Sequence, residues 1–447
     1  MKTITRVLIA NRGEIAIRIA KTLKKMGIIS IGIYSDADAD AYFLNFMDER
    51  IRIGPPPPRE SYLQIEKILD AALQTRADAI HPGYGFLSEN SDFAMRAVEH
   101  GLIFIGPPPQ AVKKMGSKLQ SREIAISSGV PTIQGSSAIK TVEEAIAFAS
   151  EIGFPVMVKA SAGGGGIGMV KVSSVDLLKN AFEDAVKKAA VFFGDPTVYI
   201  EKAIENPRHI EVQVFGDQHG HVIHLGEREC TIQRRNQKVI EETPSPFVSE
   251  SLRKKMTDAS ISLAKAVGYY SSGTVEFVVD QSGDFYFLEM NTRLQVEHTI
   301  TEMVTGLDLV EWQIRVAQGE MLPRQEIKHH GHAFQFRLCA EDPSKKFIPS
   351  PGVITELELP QIDVRCDMAV TTQSKITPYY DSMFGKLIVH ASTRNEAIEK
   401  SNLAFSQLKV SGIKTNLELH QKVLAHPLFK AGQFSTAFLK EQLNYQW

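Results

Sequence analysis

The sequence predicts a chain of mixed α/β and α+β class. It has an N-terminal parallel α/β domain, a compact inserted α+β module with a glycine loop, and a C-terminal, mainly antiparallel β domain. Three observations predict this. The chain opens with a β-α-β pattern. A compact stretch from 131 to 203 is broken by four successive glycines. From Arg208 onward, runs of alternating polar and apolar residues dominate, as expected for strands with one covered face.

In the first domain, Arg6–Ala10 reads as a buried strand and Gly13–Met26 as a helix, with Ile15, Ile19, Leu23 and Met26 on one face. Gly27 ends that helix, and Ile28–Tyr34 is the next strand. Ala77–His81, a helix from Asn90 to His100 and the strand Leu102–Gly106 complete the unit. No GxGxxG follows the first strand, which argues against a dinucleotide site there. His81-Pro-Gly83-Tyr84-Gly85 follows a strand end, where parallel sheets place ligands, and Gly83 and Gly85 suggest close backbone approach; the plain alternative is a tight turn with the histidine and tyrosine packed. Pro55–Pro58 and Pro107–Pro109 punctuate the domain.

The module reads as a helix at Thr141–Ile152, strands at Val156–Ala160 and Met169–Val172, a helix at Val175–Ala190, and a strand at Val198–Glu201. Lys159 precedes the glycine run Gly163–Gly166, whose backbone N–H groups can approach phosphate oxygens closely. No Gly-Lys-Ser/Thr follows, so it is not a Walker loop. Ordering four glycines is entropically costly, which favours a phosphate-covering lid over an idle turn. Val198–Ile204 is either a plain connection or a hinge whose backbone holds an adenine edge, with Glu201 taking the exocyclic amine.

The densest chemistry lies in Ser271–His298. Thr274–Asp280 and Phe285–Asn291 flank a turn, and a four-residue antiparallel loop sets Glu276 opposite Glu289. While the chain stays extended, Glu289, Asn291, Arg293, Gln295 and Glu297 share a face. A solvated strand face is the ordinary explanation of such alternation. Glu276, however, lies among Val275, Phe277, Val278 and Val279, where a carboxylate needs a partner or a metal. Two facing carboxylates and an amide oxygen suit a hard cation shared with nucleotide phosphates. Upstream, His209 and Glu211 share a strand face, and Cys230–Lys238 is rich in donors.

Composition narrows the classes. A length of 447 residues implies two to four domains, and 43% hydrophobic with 23% charged residues is ordinary for a globular protein. A net charge of −2 gives no sign of nucleic-acid binding. Three scattered cysteines suggest a reducing compartment without disulfides or a zinc site. Neither a signal peptide nor an apolar run of about 20 residues is present, so a cytoplasmic location with no membrane association is expected.

IANRGEIAIRI, HPGYGFLSEN, the glycine loop, ENPRHIEVQV, RRNQKVIEE, EMNTRLQVEHTITEMVTG, AEDPSKKFIPSPG and YYDSMFGKLI occur in that order. Together they resemble the biotin carboxylase family of the ATP-grasp superfamily, over essentially the whole chain. The pattern is most similar to the separate subunits of bacterial acetyl-CoA carboxylases.

The resemblance implies a pre-ATP-grasp domain at 1–118, an ATP-grasp lid subdomain at 119–204, and a catalytic and C-terminal region at 205–447. It also implies a reaction: ATP activates bicarbonate as carboxyphosphate, and biotin on a carrier protein is carboxylated at N1′. ATP contacts are then expected from Lys118, Lys159, Gly164, Gly165, Gly166, Glu201, Lys202, Ala203, Ile204, His209, Gln233, Asn236 and Glu276. Glu276, Glu289 and Asn291 are expected to hold Mg²⁺ or Mn²⁺. Lys238, Arg293, Gln295 and the Val296 backbone are expected to bind bicarbonate. Glu297 is its expected base, acting by position rather than through a large pKa shift. Arg337 is expected to stabilise the biotin enolate, with Gly83 and Tyr84 near biotin.

Expected partners are a biotin carboxyl carrier protein, carboxyltransferase subunits and a second copy in a homodimer. Ala-Met-Lys-Met is absent, so the biotin is expected on another chain. Ile167 and Asn236 depart from the acetyl-CoA carboxylase pattern, which usually has Arg and His there, and resemble urea carboxylases. The final acceptor therefore stays open between acetyl-CoA, propionyl-CoA or another acyl-CoA, and urea. Other readings are an ATP-grasp ligase joining a carboxylate to an amine or thiol, and a non-catalytic nucleotide-binding module.

Overall fold

A computed structural model describes residues 3–161, 169–324 and 327–445. The expected phosphate contacts Gly164, Gly165 and Gly166, and Ile167 beside them, lie outside the described residues.

The N-terminal sheet has five parallel strands in the order Glu49–Gly54, Ile29–Ser35, Arg6–Ile9, Ala79–His81 and Ile103–Phe104. Chain order reverses between Arg6–Ile9 and Ala79–His81. The crevice beyond those two carboxyl ends is where such sheets bind ligands. Asn11 bridges it, donating from Nδ2 to the carbonyls of Pro82 and Tyr84, each at 2.7 Å. Glu49–Gly54 was not expected as a strand. Glu49, Arg50 and Arg52 are exposed on this sheet edge, so its sequence lacks the apolar run of its neighbours.

The inserted module is a three-stranded antiparallel sheet, in the order Met169–Val172, Val156–Ala160 and Val198–Lys202. Helices Val142–Ile152 and Val175–Phe193 pack on it through a core that includes Val156, Val158, Leu178, Phe182 and Ile200. Thr141 caps the first helix, its side chain accepting from Glu144 N at 3.2 Å.

One eight-stranded antiparallel sheet runs through the rest. Its order is Phe285–Asn291, Ser271–Val279, Arg208–Gly216, Val222–Arg234, Gln237–Thr243, His332–Cys339, Met383–Ala391 and Arg365–Met368. The distal half of this sheet covers a core containing Phe334, Phe336, Phe384, Phe405 and Phe429. Arg235 and Asn236 both adopt positive φ (51° and 63°) and form a two-residue hairpin, which Asn tolerates well. The donor-rich segment is therefore a strand, a tight turn and a strand, with Lys238 on the returning strand.

The carboxylate hairpin differs from expectation in its loop and register. Its loop holds five residues, Asp280–Asp284, because Val279 pairs with Phe285. Leu288 is an extra residue in the second strand, and this bulge restores Glu276 opposite Glu289. The shared extended face also stops early. The strand ends at Asn291, and Glu297 is the N-cap of the helix His298–Thr305. The 17-residue helix Glu250–Ala266 was not anticipated; Ser249 starts it by accepting from Leu252 N at 3.2 Å, and Ser251, Ser260 and Ser262 weaken its apolar period.

Candidate active site

The crevice of the parallel sheet, the inserted module and the antiparallel sheet enclose a cavity of about 960 Å³. Lys118, Lys159, Glu201, Lys202, Ile204, His209, Gln233 and Asn236 line its module-facing side. Lys238, Glu276, Glu289, Asn291, Arg293, Gln295, Val296, Arg337 and Tyr84 line the remainder. Among the described residues, three that were expected are not in the lining. Ala203 is buried, Glu297 is buried behind Lys238, and Gly83 packs on Asn11 and Ile15 at a φ of +62°. A side chain at Gly83 would be strained by that backbone angle and would meet the Asn11 amide at 3.0 Å.

Lys238 is the hub. Its ammonium donates to Glu276 Oε1 at 2.6 Å, to Glu297 Oε1 at 2.7 Å and to Glu211. These partners come from separate strands and a helix cap, so one cation ties the hairpin, the central strand and the Arg293–Glu297 loop together. Burial opposes its charge, but the Glu211, Glu276 and Glu297 carboxylates raise its pKa well above that of an ordinary lysine. Arg337, on the strand His332–Cys339, donates to Glu241 Oε1 at 2.6 Å and to Glu297 Oε2 at 3.0 Å. Burial alone would raise the pKa of Glu297; Lys238 and Arg337 outweigh it and hold the carboxylate well below the usual range. The shift is large but runs downward, so it lends the carboxylate no strength as a base; Glu297 is ionised at neutral pH.

Glu276 is similarly ionised, because Lys238 and His209 overcome its burial. His209 Nε2 lies 2.8 Å from Glu276 Oε2. Asn291 Nδ2 and Gln295 Nε2 donate to Glu276 Oε1 at 2.8 and 2.9 Å. Glu289 shifts the other way, its pKa raised by burial and by the charge of Glu276. A divalent cation between them would relieve that repulsion, and an all-oxygen donor set suits Mg²⁺. The Glu276, Glu289 and Asn291 set therefore fits the expected metal. Lys118 faces Glu289, and burial is the main cause of its lowered pKa.

Arg293 donates from Nε to Glu89 Oε2 at 2.8 Å and from an Nη to Asn291 Oδ1 at 2.9 Å. Its other Nη reaches Gln295 Oε1 at 3.2 Å. On the module, Lys159 bonds Glu201 across adjacent strands, so that carboxylate is engaged by a cation of its own sheet. Lys202 Nζ turns away to the carbonyls of Gly153 and Phe154, each at 3.0 Å. Gln233 donates to the carbonyl of Cys230 at 2.9 Å.

Sequence reasoning gave no role to four buried or flanking groups. Arg228, with no exposed surface, bonds Glu211, Gln213, Thr274 and Thr301 beneath Lys238. Glu211 and Glu241 anchor Lys238 and Arg337, and Glu89 anchors Arg293. The available signal was alternation: Glu211 is two residues beyond His209 on one strand.

Residues 3–112 match the biotin carboxylase N-terminal domain, 117–325 the ATP-binding domain of the carbamoyl-phosphate synthase L chain, and 335–441 the biotin carboxylase C-terminal domain. The chain is 53% identical to biotin carboxylase 2 of Bacillus subtilis, covering 98% of this chain and 100% of that one. A biotin carboxylase complex with β,γ-ATP from Campylobacter jejuni superposes with a TM-score of 0.96 at 47% identity, over 98% of this chain and 99% of that one. The biotin carboxylase domain of the Hydrogenobacter thermophilus 2-oxoglutarate carboxylase, solved with MgADP, ADP and bicarbonate, gives 0.96 at 44% identity with both chains fully covered. On these grounds the chain belongs to the biotin carboxylase family, enzymes that carboxylate biotin with ATP.

Proposed function

We propose that this enzyme carboxylates biotin borne on a separate carrier protein, as the first half-reaction of an acetyl-CoA carboxylase. The observation that carries the reading is Lys238, which contacts both the Glu276 end of the cavity and the Glu297 end. A triphosphate on one side and a one-carbon anion on the other meet at that ammonium.

In this reading Lys118, Lys159 and His209 receive the phosphates of ATP, and the segment from Glu201 to Ile204, where the strand Val198–Lys202 ends, borders the adenine, with Gln233 and Asn236 nearby. Glu276, Glu289 and Asn291 hold Mg²⁺, which neutralises charge on the transferred phosphoryl group. Bicarbonate lies on Lys238, Arg293, Gln295 and the Val296 amide, where the guanidinium fork suits a planar anion. Glu297 accepts the bicarbonate proton as the oxygen attacks the γ-phosphorus and ADP leaves. Its low pKa makes it a weak base but a permanently ionised one, so its contribution is position. The carboxyl group of carboxyphosphate then passes to N1′ of biotin: the C–O bond to phosphate breaks, the N–C bond forms, and the departing phosphate takes the N1′ proton. Arg337 stabilises the enolate form of the ureido group, beside Tyr84. The partners are the carrier, carboxyltransferase subunits and a second copy of this chain, in the cytoplasm.

Asn236 favours a second reading of the acceptor, because RRNQKV resembles urea carboxylases. Propionyl-CoA carboxylase is also among the relatives, at 48% identity in Ruegeria pomeroyi. The test has two stages. Purified protein with Mg²⁺, bicarbonate and free biotin is assayed for ATP cleavage; no cleavage ends the proposal. Identification of the carboxyltransferase that co-purifies then decides between acetyl-CoA and another acceptor.

A further inference from the structure

The loop that carries Arg293, Gln295 and Glu297 is tied down by a residue outside the machinery above. The carbonyl of Val296 accepts a 3.0 Å hydrogen bond from Lys386 Nζ. Lys386 stands on the strand Met383–Ala391, in register with Arg337 on its neighbour, and its side chain has no exposed surface. An ammonium removed from water is costly without a counter-charge. Asp367 opposes it on the outer strand but is engaged by Arg365 at 2.7 Å. The nearer acid is Glu14, in the first turn of helix Gly13–Lys25, with Oε2 3.1 Å from Lys386 Nζ. Glu14 is buried and borders the cavity, and neither of its oxygens has a hydrogen-bond partner among the described residues. The Tyr84 ring lies beside the same ammonium, its centroid 5.8 Å away.

A buried ion pair is weak evidence for stability, because apolar residues of similar volume pack as well. What an apolar residue cannot supply is the directional bond to Val296. The Val296 carbonyl shares a rigid plane with the Glu297 N–H, so holding one sets the entry angle of Glu297 into its helix. We propose that Lys386, with Glu14 as its counter-ion, is a positioning residue for the one-carbon site: it fixes the Gln295–Glu297 backbone so that the loop presents its amide and carboxylate to bicarbonate. The pair also links the N-terminal domain to the antiparallel sheet at that loop. This inference rests on assigning bicarbonate to Lys238, Arg293, Gln295 and Val296.

The test is a steady-state comparison of the full chain with Lys386→Met, Lys386→Arg and the double variant Glu14→Gln/Lys386→Met. The double variant leaves no unpaired charge if the single one fails to fold. Loss of one charge-assisted bond is expected to raise the KM for bicarbonate about tenfold while the KM for ATP stays within about twofold, and arginine is expected to restore part of the loss. An unchanged bicarbonate KM, an equal rise in both constants, or failure of both methionine variants to fold overturns the positioning role. Arg293→Ala, run alongside, separates the two claims. If it leaves the bicarbonate KM unchanged, the bicarbonate assignment itself fails. If it raises that constant and Lys386→Met does not, only the role of Lys386 falls.

Discussion

Glu276 and Glu289 face each other across adjacent strands because Leu288 is an extra residue between Phe287 and Glu289. Without that bulge Glu276 would oppose Leu288, and Glu289 would turn to the other face. The facing pair has a measurable consequence. Burial and the charge of Glu276 raise the folded-state pKa of Glu289, so its contribution to stability is lost as pH rises through that value. At neutral pH without metal, Glu289→Gln is therefore expected to raise the melting temperature by roughly 1–3 °C. Mg²⁺ is expected to stabilise the parent more than the variant. Thermal denaturation with EDTA and with Mg²⁺ reads both effects, and a lower melting temperature for the variant in EDTA would contradict the repulsion.

Arg293 donates hydrogen bonds to Glu89, Asn291 and Gln295. Arg293→Ala is expected to lower carboxylation of free biotin by at least about a hundredfold, the scale of one lost transition-state electrostatic contact. Because Asn291 is also an expected metal ligand, the comparison is made without Mg²⁺, where nucleotide affinity is expected to stay within about threefold, as Arg293 donates to none of the side chains expected on ATP itself. Carboxylation assays and calorimetric titration with an ATP analogue check the split; equal losses in both would place Arg293 on the nucleotide instead.

Lys238 and Arg337 hold the Glu297 pKa down, so the free enzyme is expected to show no acid limb from this group in kcat/KM for bicarbonate above about pH 5. The sign is that of a depressed carboxylate: its stabilising pairing is present above the unfolded pKa and lost as pH falls through the folded one. Lys238→Met removes one of the two cations and frees the pKa to rise. The residual activity of that variant is expected to develop an acid limb at higher pH than in the parent. A pH–rate profile of unchanged shape would show that Lys238 does not control Glu297.

Much of this site was legible because chemistry and period coincide along single strands. Glu276 stood out as a carboxylate in an apolar run, and Glu289, Asn291 and Arg293 followed at intervals of two. What alternation cannot report is which strands become neighbours. The Gln237–Thr243 strand lies between Val222–Arg234 and His332–Cys339. That order brings Lys238 to Glu211, and Arg337 to Glu241, from positions 27 and 96 residues apart. The five-residue loop was misjudged by one residue and the bulge offset it, so the right pair was reached through a wrong register. Glu89, at the far end of the HPGYGFLSE motif, meets Arg293 only through packing of the parallel domain on the sheet.

His420 supports the strand that carries Arg337 and offers a separate test in acid. Its ring packs against Phe336 and Phe405 with centroids 5.4 and 5.5 Å away, and its Nε2 donates to the Arg337 carbonyl at 2.9 Å. Burial lowers its pKa to about 4. The unfolded chain binds a proton at this residue near pH 6.5, so between those values the unfolded state holds more protons and stability rises with pH. One such group contributes a slope of up to about 1.4 kcal/mol per pH unit. His420→Gln removes the titration while keeping a side-chain donor. Its unfolding free energy is expected to vary less steeply than the parent's between pH 4.5 and 6, by up to about that amount. Denaturant titrations across the window measure the difference. Parallel curves would mean that His420 is already protonated in the folded protein, and the bond to Arg337 would then be that of an imidazolium.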